Sequence, residues 1–184
     1  MCVLIIKPAG AKMPPKATLK QCFTSNPDGC GFAQGEKIVR SLNFETWYDE
    51  VSAIAERDKD AIIHFRYATH GSVRVSNCHP FKDSSTGAIF AHNGVLPIKA
   101  LCDKTDSETY FKTCLVPLIS KYGAFSKEVI EFIGETIGCS RFALMQNGEV
   151  RKFGVFHEYN GCHYSNLRWM NARTYYSCLC SLYS

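Results

Sequence analysis

The chain has 184 residues, 46% of them hydrophobic and 21% charged, with a net charge of +4. Those values describe one globular domain long enough to bury a core, and a weak positive charge without a Lys/Arg run carries no nucleic-acid footprint. The longest apolar runs, residues 3–6 among them, are far too short to cross a bilayer, so no membrane association is expected.

No basic segment leads into a longer apolar stretch, so no secretory signal is read. Ten cysteines at irregular spacing then point to reduced thiols and a cytoplasmic location. Cys178 and Cys180 form the only tight pair in the sequence. With Cys162 and His163 as the nearest further candidates, no zinc spacing fits, and no metal is expected.

Residues 3–6 are too short and too β-branched for a helix and read as a strand. By itself, Cys2 in front of them is the start of a buried strand, since free cysteine is commonly buried. PPKATLKQCFTSN reads as a short helix entered through proline and closed by the turn NPDG. GCGFAQ and KIVRSLNF flank a Gly-Glu turn and form a hairpin. FETWYDEVSAIAERD sets Phe44, Trp47, Tyr48, Val51, Ile54 and Ala55 on one helix face.

DAIIHFRYATHG is a strand that empties into a turn, and TGAIFAHNGVL repeats the pattern with Asn-Gly at its end. Two helices follow, SETYFKTCLVPLISKYG and KEVIEFIGETIG. A hairpin of RFALMQ and VRKFGVF then crosses Asn147-Gly148. The aromatic tail over 156–184 shows no usable pattern and receives no role within a single domain spanning 1–184. This order predicts an α+β fold with mainly antiparallel sheets and helices on outer faces.

Reactive side chains collect at the ends of predicted strands. In HFRYATHG, Arg66 sits where a buried strand meets a turn, with Thr69 and His70 beside it. A guanidinium there either pairs with a structural carboxylate or grips a ligand carboxylate with its fork. In FAHNGVL, Asn93 and Gly94 are fully accounted for by a hairpin turn, yet they are also the donors that an oxyanion hole requires. In KTDSETY, Asp106 or Ser107 either caps the following helix in a capping box or offers a carboxylate to an ammonium group.

Taken together, NPDGCGFA, HFRYATHG, NCHPF, AHNGVL and TDSE, behind a cysteine that follows the initiator methionine, resemble the motifs of class II glutamine amidotransferase domains. The resemblance covers residues 2–155. It implies the fold of the N-terminal nucleophile hydrolases, a four-layer αββα sandwich. It also implies that Cys2 attacks the glutamine side-chain amide after Met1 is removed. Arg66, helped by Thr69 and His70, would hold the α-carboxylate; Asn93 and Gly94 would form the oxyanion hole; Asp106 would bind the α-ammonium. Val3 stands where many relatives carry glycine, and the short stretch between Asn93 and Asp106 implies a trimmed loop.

The chemistry is self-consistent. An α-amine with a pKa near 7.7–8.0 is partly neutral at pH 7 and can take the proton of its own thiol. No cofactor enters this scheme. A stand-alone glutaminase or amidotransferase subunit is expected, with ammonia passed to a separate synthase or simply released. Two alternatives remain open: an amidohydrolase acting on a γ-glutamyl conjugate or another small amide, and a non-catalytic binding module.

Overall fold

A strand buried along its whole length needs a layer on each side, and β1 (Val3–Lys7) has both. Val3 and Ile5 pack with Leu19, Trp47 and Phe65 on one face. Leu4 and Ile6 pack with Ala91 and Met145 on the other. That two-sided burial is why β1 reads as a continuous apolar run and not as an alternating one. A computed structural model describes residues 2–69, 71–101 and 103–171 of the chain.

After β1 come α1 (Lys16–Ser25), β2 (Cys30–Gln34), β3 (Lys37–Ser41), α2 (Phe44–Ile54), β4 (Ala61–Phe65), β5 (Phe81–Lys82) and β6 (Ile89–Asn93). The second half runs through α3 (Asp106–Tyr110), α4 (Val116–Tyr122), α5 (Lys127–Thr136), β7 (Arg141–Gln146), β8 (Glu149–Phe153), β9 (His157–Tyr159) and β10 (Cys162–Tyr164). The strands form one sheet in the order β3-β2-β4-β1-β10-β9 and a second in the order β5-β6-β7-β8. All paired neighbours are antiparallel.

Helices α1 and α2 cover the outer face of the first sheet through Leu19, Cys22, Phe44, Trp47 and Val51. Tyr110, Ile119, Val129 and Ile133 of α3–α5 cover the second through Phe90, Phe142 and Leu144. The inner faces of the two sheets meet over small and aliphatic side chains. The result is the αββα sandwich expected from the sequence.

Two departures from the expected elements have physical causes, one local and one long-range. The single helix predicted over residues 107–123 is interrupted by a wider π turn at Phe111–Leu115. Pro117 follows directly; it has no N–H for the Thr113 carbonyl one turn back, and its ring crowds that oxygen. The unassigned tail also contains the β9–β10 hairpin, which extends the first sheet by pairing Ile5 with Tyr164 and Ile6 with His163. Cys178 and Cys180 lie outside the described residues.

Candidate active site

Strand geometry places the key side chains. Successive residues of a strand face opposite ways, so Cys2 shares the inter-sheet side with Leu4 and Ile6. On β4, Ile62 faces that same layer, and Arg66 follows the same alternation. The register Val3↔Phe65 and Leu4↔His64, carried one residue further, sets Cys2 opposite Arg66. On β6, Ile89 and Ala91 face inward from the second sheet, and Asn93 continues that row. The sequence therefore brings these residues to one end of the sandwich.

A pocket of about 310 Å3 opens there, lined by Cys2, Arg66, Thr69, Gly94 and Asp106, together with Tyr67, His79, His92, Thr105 and Ser107. Five of the seven residues singled out in the sequence thus share one cavity. His70 lies outside the described residues. Asn93 is buried beside the pocket, and its side-chain Nδ2 donates to Ser165 Oγ at 2.8 Å. The Asn-Gly pair closes no hairpin, because β6 pairs with β5 and β7 and the chain leaves Gly94 for α3.

The Cys2 sulfur is held by one backbone unit. It accepts from the Tyr67 N–H at 3.3 Å and donates to the Tyr67 carbonyl at 3.5 Å. Burial pushes the thiol pKa up, with the Tyr67 N–H, the N-terminus and Arg66 pulling the other way. The Asn166 side chain donates to the Cys2 carbonyl at 2.9 Å. The Arg66 guanidinium is buried and donates to the carbonyls of Ser72 at 3.1 Å and Gly71 at 3.4 Å. Across the pocket, Asp106 accepts from the Leu96 N–H at 2.9 Å and the Ser107 N–H at 2.7 Å. The helix cap is neither Asp106 nor Ser107. It is Thr105, whose hydroxyl accepts from the Glu108 N–H at 3.0 Å.

Turn and loop motifs explain one another. Asp28 of the NPDG turn accepts from the Ala68 N–H at 2.7 Å, and its own N–H donates to the Arg66 carbonyl at 3.0 Å. Both bonds fix the Tyr67 segment that cradles the thiol. Gly31 is required on β2 because a Cβ would stand 1.7 Å from the His79 carbonyl oxygen. Its absence lets the NCHPF segment lie against the sheet and deliver His79 to the pocket.

The family model for class-II glutamine amidotransferases matches residues 29–151, two-thirds of the chain. The chain belongs to this family. Among solved structures, glutamine phosphoribosylpyrophosphate amidotransferase from B. subtilis, complexed with ADP and GMP, aligns with a TM-score of 0.58 at 19% identity. A structure described as the allosteric regulatory enzyme of purine biosynthesis aligns with a TM-score of 0.55 at 18% identity. Each alignment covers 89% of this chain and 41% of the neighbour. Those superpositions establish a shared fold, and the chain spans under half of either neighbour's length. No curated protein matches it.

Three histidines of this amidotransferase domain, His64, His79 and His92, received no role from the sequence, although each lies in one of its motifs. His64, His79 and His92 are all buried, and the His64 and His79 rings stand 4.2 Å apart. His64 Nε2 lies 3.1 Å from the His92 carbonyl, which only accepts, so that nitrogen carries the hydrogen. His79 Nδ1 lies 3.1 Å from the same nitrogen and is therefore the bare side of its ring. Desolvation drives His64 down to about 3 and His92 to about 4, and it holds His79 well below its ordinary value. A charged ring here would also face the Arg66 guanidinium, a further cause of the His64 and His79 shifts.

An acid-stability prediction follows. The folded pKa values lie below the unfolded value near 6.5, so the unfolded chain takes up more protons on acidification. Stability from the three neutral rings is complete above about pH 6.5 and is lost progressively as the pH falls toward about 3. Urea midpoints should drop steeply across that window; a flat profile would contradict neutral buried rings.

Ser165 also escaped sequence reading. Its hydroxyl receives both Asn93 Nδ2 and the Leu4 N–H at 2.9 Å, and its own N–H donates to the Leu4 carbonyl at 2.8 Å. No local pattern marks it, because its partners are 72 and 161 residues away.

No group of three or more His, Cys, Asp or Glu side chains among the described residues is arranged to hold a metal ion. No helix among them is long and apolar enough to cross a membrane.

Proposed function

We propose that the chain is a glutaminase, acting alone or as the ammonia-supplying subunit of an amidotransferase. The observation that carries this reading is one pocket lined by a thiol, a guanidinium and a carboxylate, those of Cys2, Arg66 and Asp106. Glutamine is a zwitterion with a neutral amide at its far end, so it needs one cation, one anion and an acyl-transfer group.

Removal of Met1 exposes the α-amine of Cys2. A thiol whose pKa is raised by burial needs a base, and this amine takes its proton. The sulfur attacks the amide carbon, and the developing oxyanion is met by the Asn93 side chain and the Gly94 N–H. The protonated amine gives its proton to the departing nitrogen, releasing ammonia and leaving a γ-glutamyl thioester. Water then attacks the thioester carbon, the sulfur leaves as the thiol, and glutamate is released.

Arg66, helped by Thr69 and His70, holds the α-carboxylate, and Asp106 holds the α-ammonium. Tyr67, Val73, Val75, Val95 and Leu101 are exposed apolar residues of the two loops that frame the pocket. They suit the docking of a separate synthase that takes up the ammonia.

A glutamine-dependent ammonia assay, run with intact mass on the same preparation, tests the reading. Ammonia from free glutamine by a chain lacking Met1 supports it. Turnover of γ-glutamyl conjugates without turnover of glutamine would replace it with the amidohydrolase reading. Within the main reading, Arg66→Ala should raise KM for glutamine at least about tenfold through loss of a charge-assisted fork. An unaffected KM would remove Arg66 from carboxylate binding.

A further inference from the structure

We propose that His92 and Ser107 are positioning residues that aim the Asp106 carboxylate at the substrate's α-ammonium, making the site selective for an α-amino acid over a plain γ-amide. The inference rests on the glutamine reading above and names two residues that the reading does not use.

Ser107 Oγ lies 2.7 Å from His92 Nδ1 and 3.1 Å from Asp106 Oδ1. The hydroxyl has one hydrogen, and the carboxylate is the stronger acceptor. Ser107 therefore donates to Asp106 and accepts from the Nδ1–H of His92. A directed chain results, from imidazole to hydroxyl to carboxylate. The Ser107 N–H closes on the same carboxylate oxygen at 2.7 Å, while the Leu96 N–H holds Oδ2 at 2.9 Å. Both oxygens are thus anchored, which fixes the orientation of the carboxylate at the pocket that Asp106 lines.

A merely structural role for this chain is hard to find. The start of α3 is already capped by Thr105, so Ser107 is not needed there. His92 and Ser107 are only 2% and 3% exposed, and burying two polar side chains costs stability unless they are bonded. The His92 ring is held edge-on against Phe142 at 5.2 Å between centroids, so it is a fixed donor.

The test compares ammonia release by the full chain from glutamine and from glutaramate, which keeps the carboxylate and the amide but lacks the amine. Ser107→Ala should raise KM for glutamine about tenfold, with kcat within about twofold. The same variant should leave kcat/KM for glutaramate unchanged. His92→Phe should behave likewise, and His92→Asn, which restores a donor near the Nδ1 position, should recover glutamine binding. Equal losses on both substrates, or a wild-type chain that uses both equally well, would overturn the inference while leaving the glutaminase reading standing. Absence of ammonia release from glutamine by the wild-type chain would overturn both. Should His92→Phe fail to fold, Ser107→Ala decides alone.

Discussion

Replacing Cys2 by alanine should lower ammonia release from glutamine by at least about 10⁴-fold and leave the fold intact, the behaviour of a lost nucleophile. The sulfur belongs to none of the three buried apolar clusters. Its contacts are the N–H and carbonyl of Tyr67, at sulfur distances where little stability is at stake. Thermal melting should therefore shift by no more than about 2–4 °C, the change expected for roughly 1 kcal/mol in a domain of this size. Turnover near wild type would sink the nucleophile assignment. A second consequence concerns the amine. A chain that retains Met1 keeps an amide nitrogen on Cys2, which cannot take a proton, and it should be as inactive as the alanine variant.

Much of this site was legible in the sequence because strands turn sequence parity into spatial direction. Cys2, Arg66 and Asn93 each end or border an apolar run, and each run lies in the central layers of the sandwich. Reading each run as a strand set Arg66 and Asn93 at strand ends, while joining Cys2 to them took the resemblance to class II glutamine amidotransferase domains. The Gly and Pro punctuation was also informative: NPDG holds the Tyr67 segment through the Asp28 carboxylate and N–H, and Gly31 admits the His79 carbonyl. Such local signals survive in a single sequence.

What was missed depends on partners far along the chain. The β9–β10 hairpin has three-residue strands, and β9 opens on His157 and Glu158, so no period can emerge from it. Only pairing with β1, more than 150 residues away, makes it a sheet element. β5 has two residues and reads as loop. The roles of His64, His79 and His92 rest on which nitrogen carries the hydrogen, and that is decided by a carbonyl and a hydroxyl on other elements. In TDSE, cap and carboxylate were both expected of Asp106 or Ser107, whereas the structure divides the labour. Thr105 caps the helix, Asp106 faces the pocket, and Ser107 connects it to β6.

Asn93→Ala should reduce kcat by roughly 10²–10³ with KM for glutamine nearly unchanged, the signature of a donor that matters only in the transition state. Its amide carries two N–H groups. One is taken by Ser165 Oγ at 2.8 Å, which leaves the other for a developing oxyanion. Ser165 Oγ also accepts the Leu4 N–H at 2.9 Å, two residues from the thiol. The strand behind Cys2 and the Asn93 amide are thereby fixed to the same atom, so their separation does not depend on the packing of the two sheets. Stability should change little, because the Asn93 amide oxygen is buried without a hydrogen-bond partner, and its removal offsets the lost bond to Ser165. A turn residue with a purely structural role would behave in the opposite way, losing stability while surviving molecules turned over normally. Steady-state kinetics alongside urea denaturation of the same variant separates the two outcomes. A stable protein with wild-type kcat would remove Asn93 from the oxyanion hole and leave Gly94 as its only candidate donor.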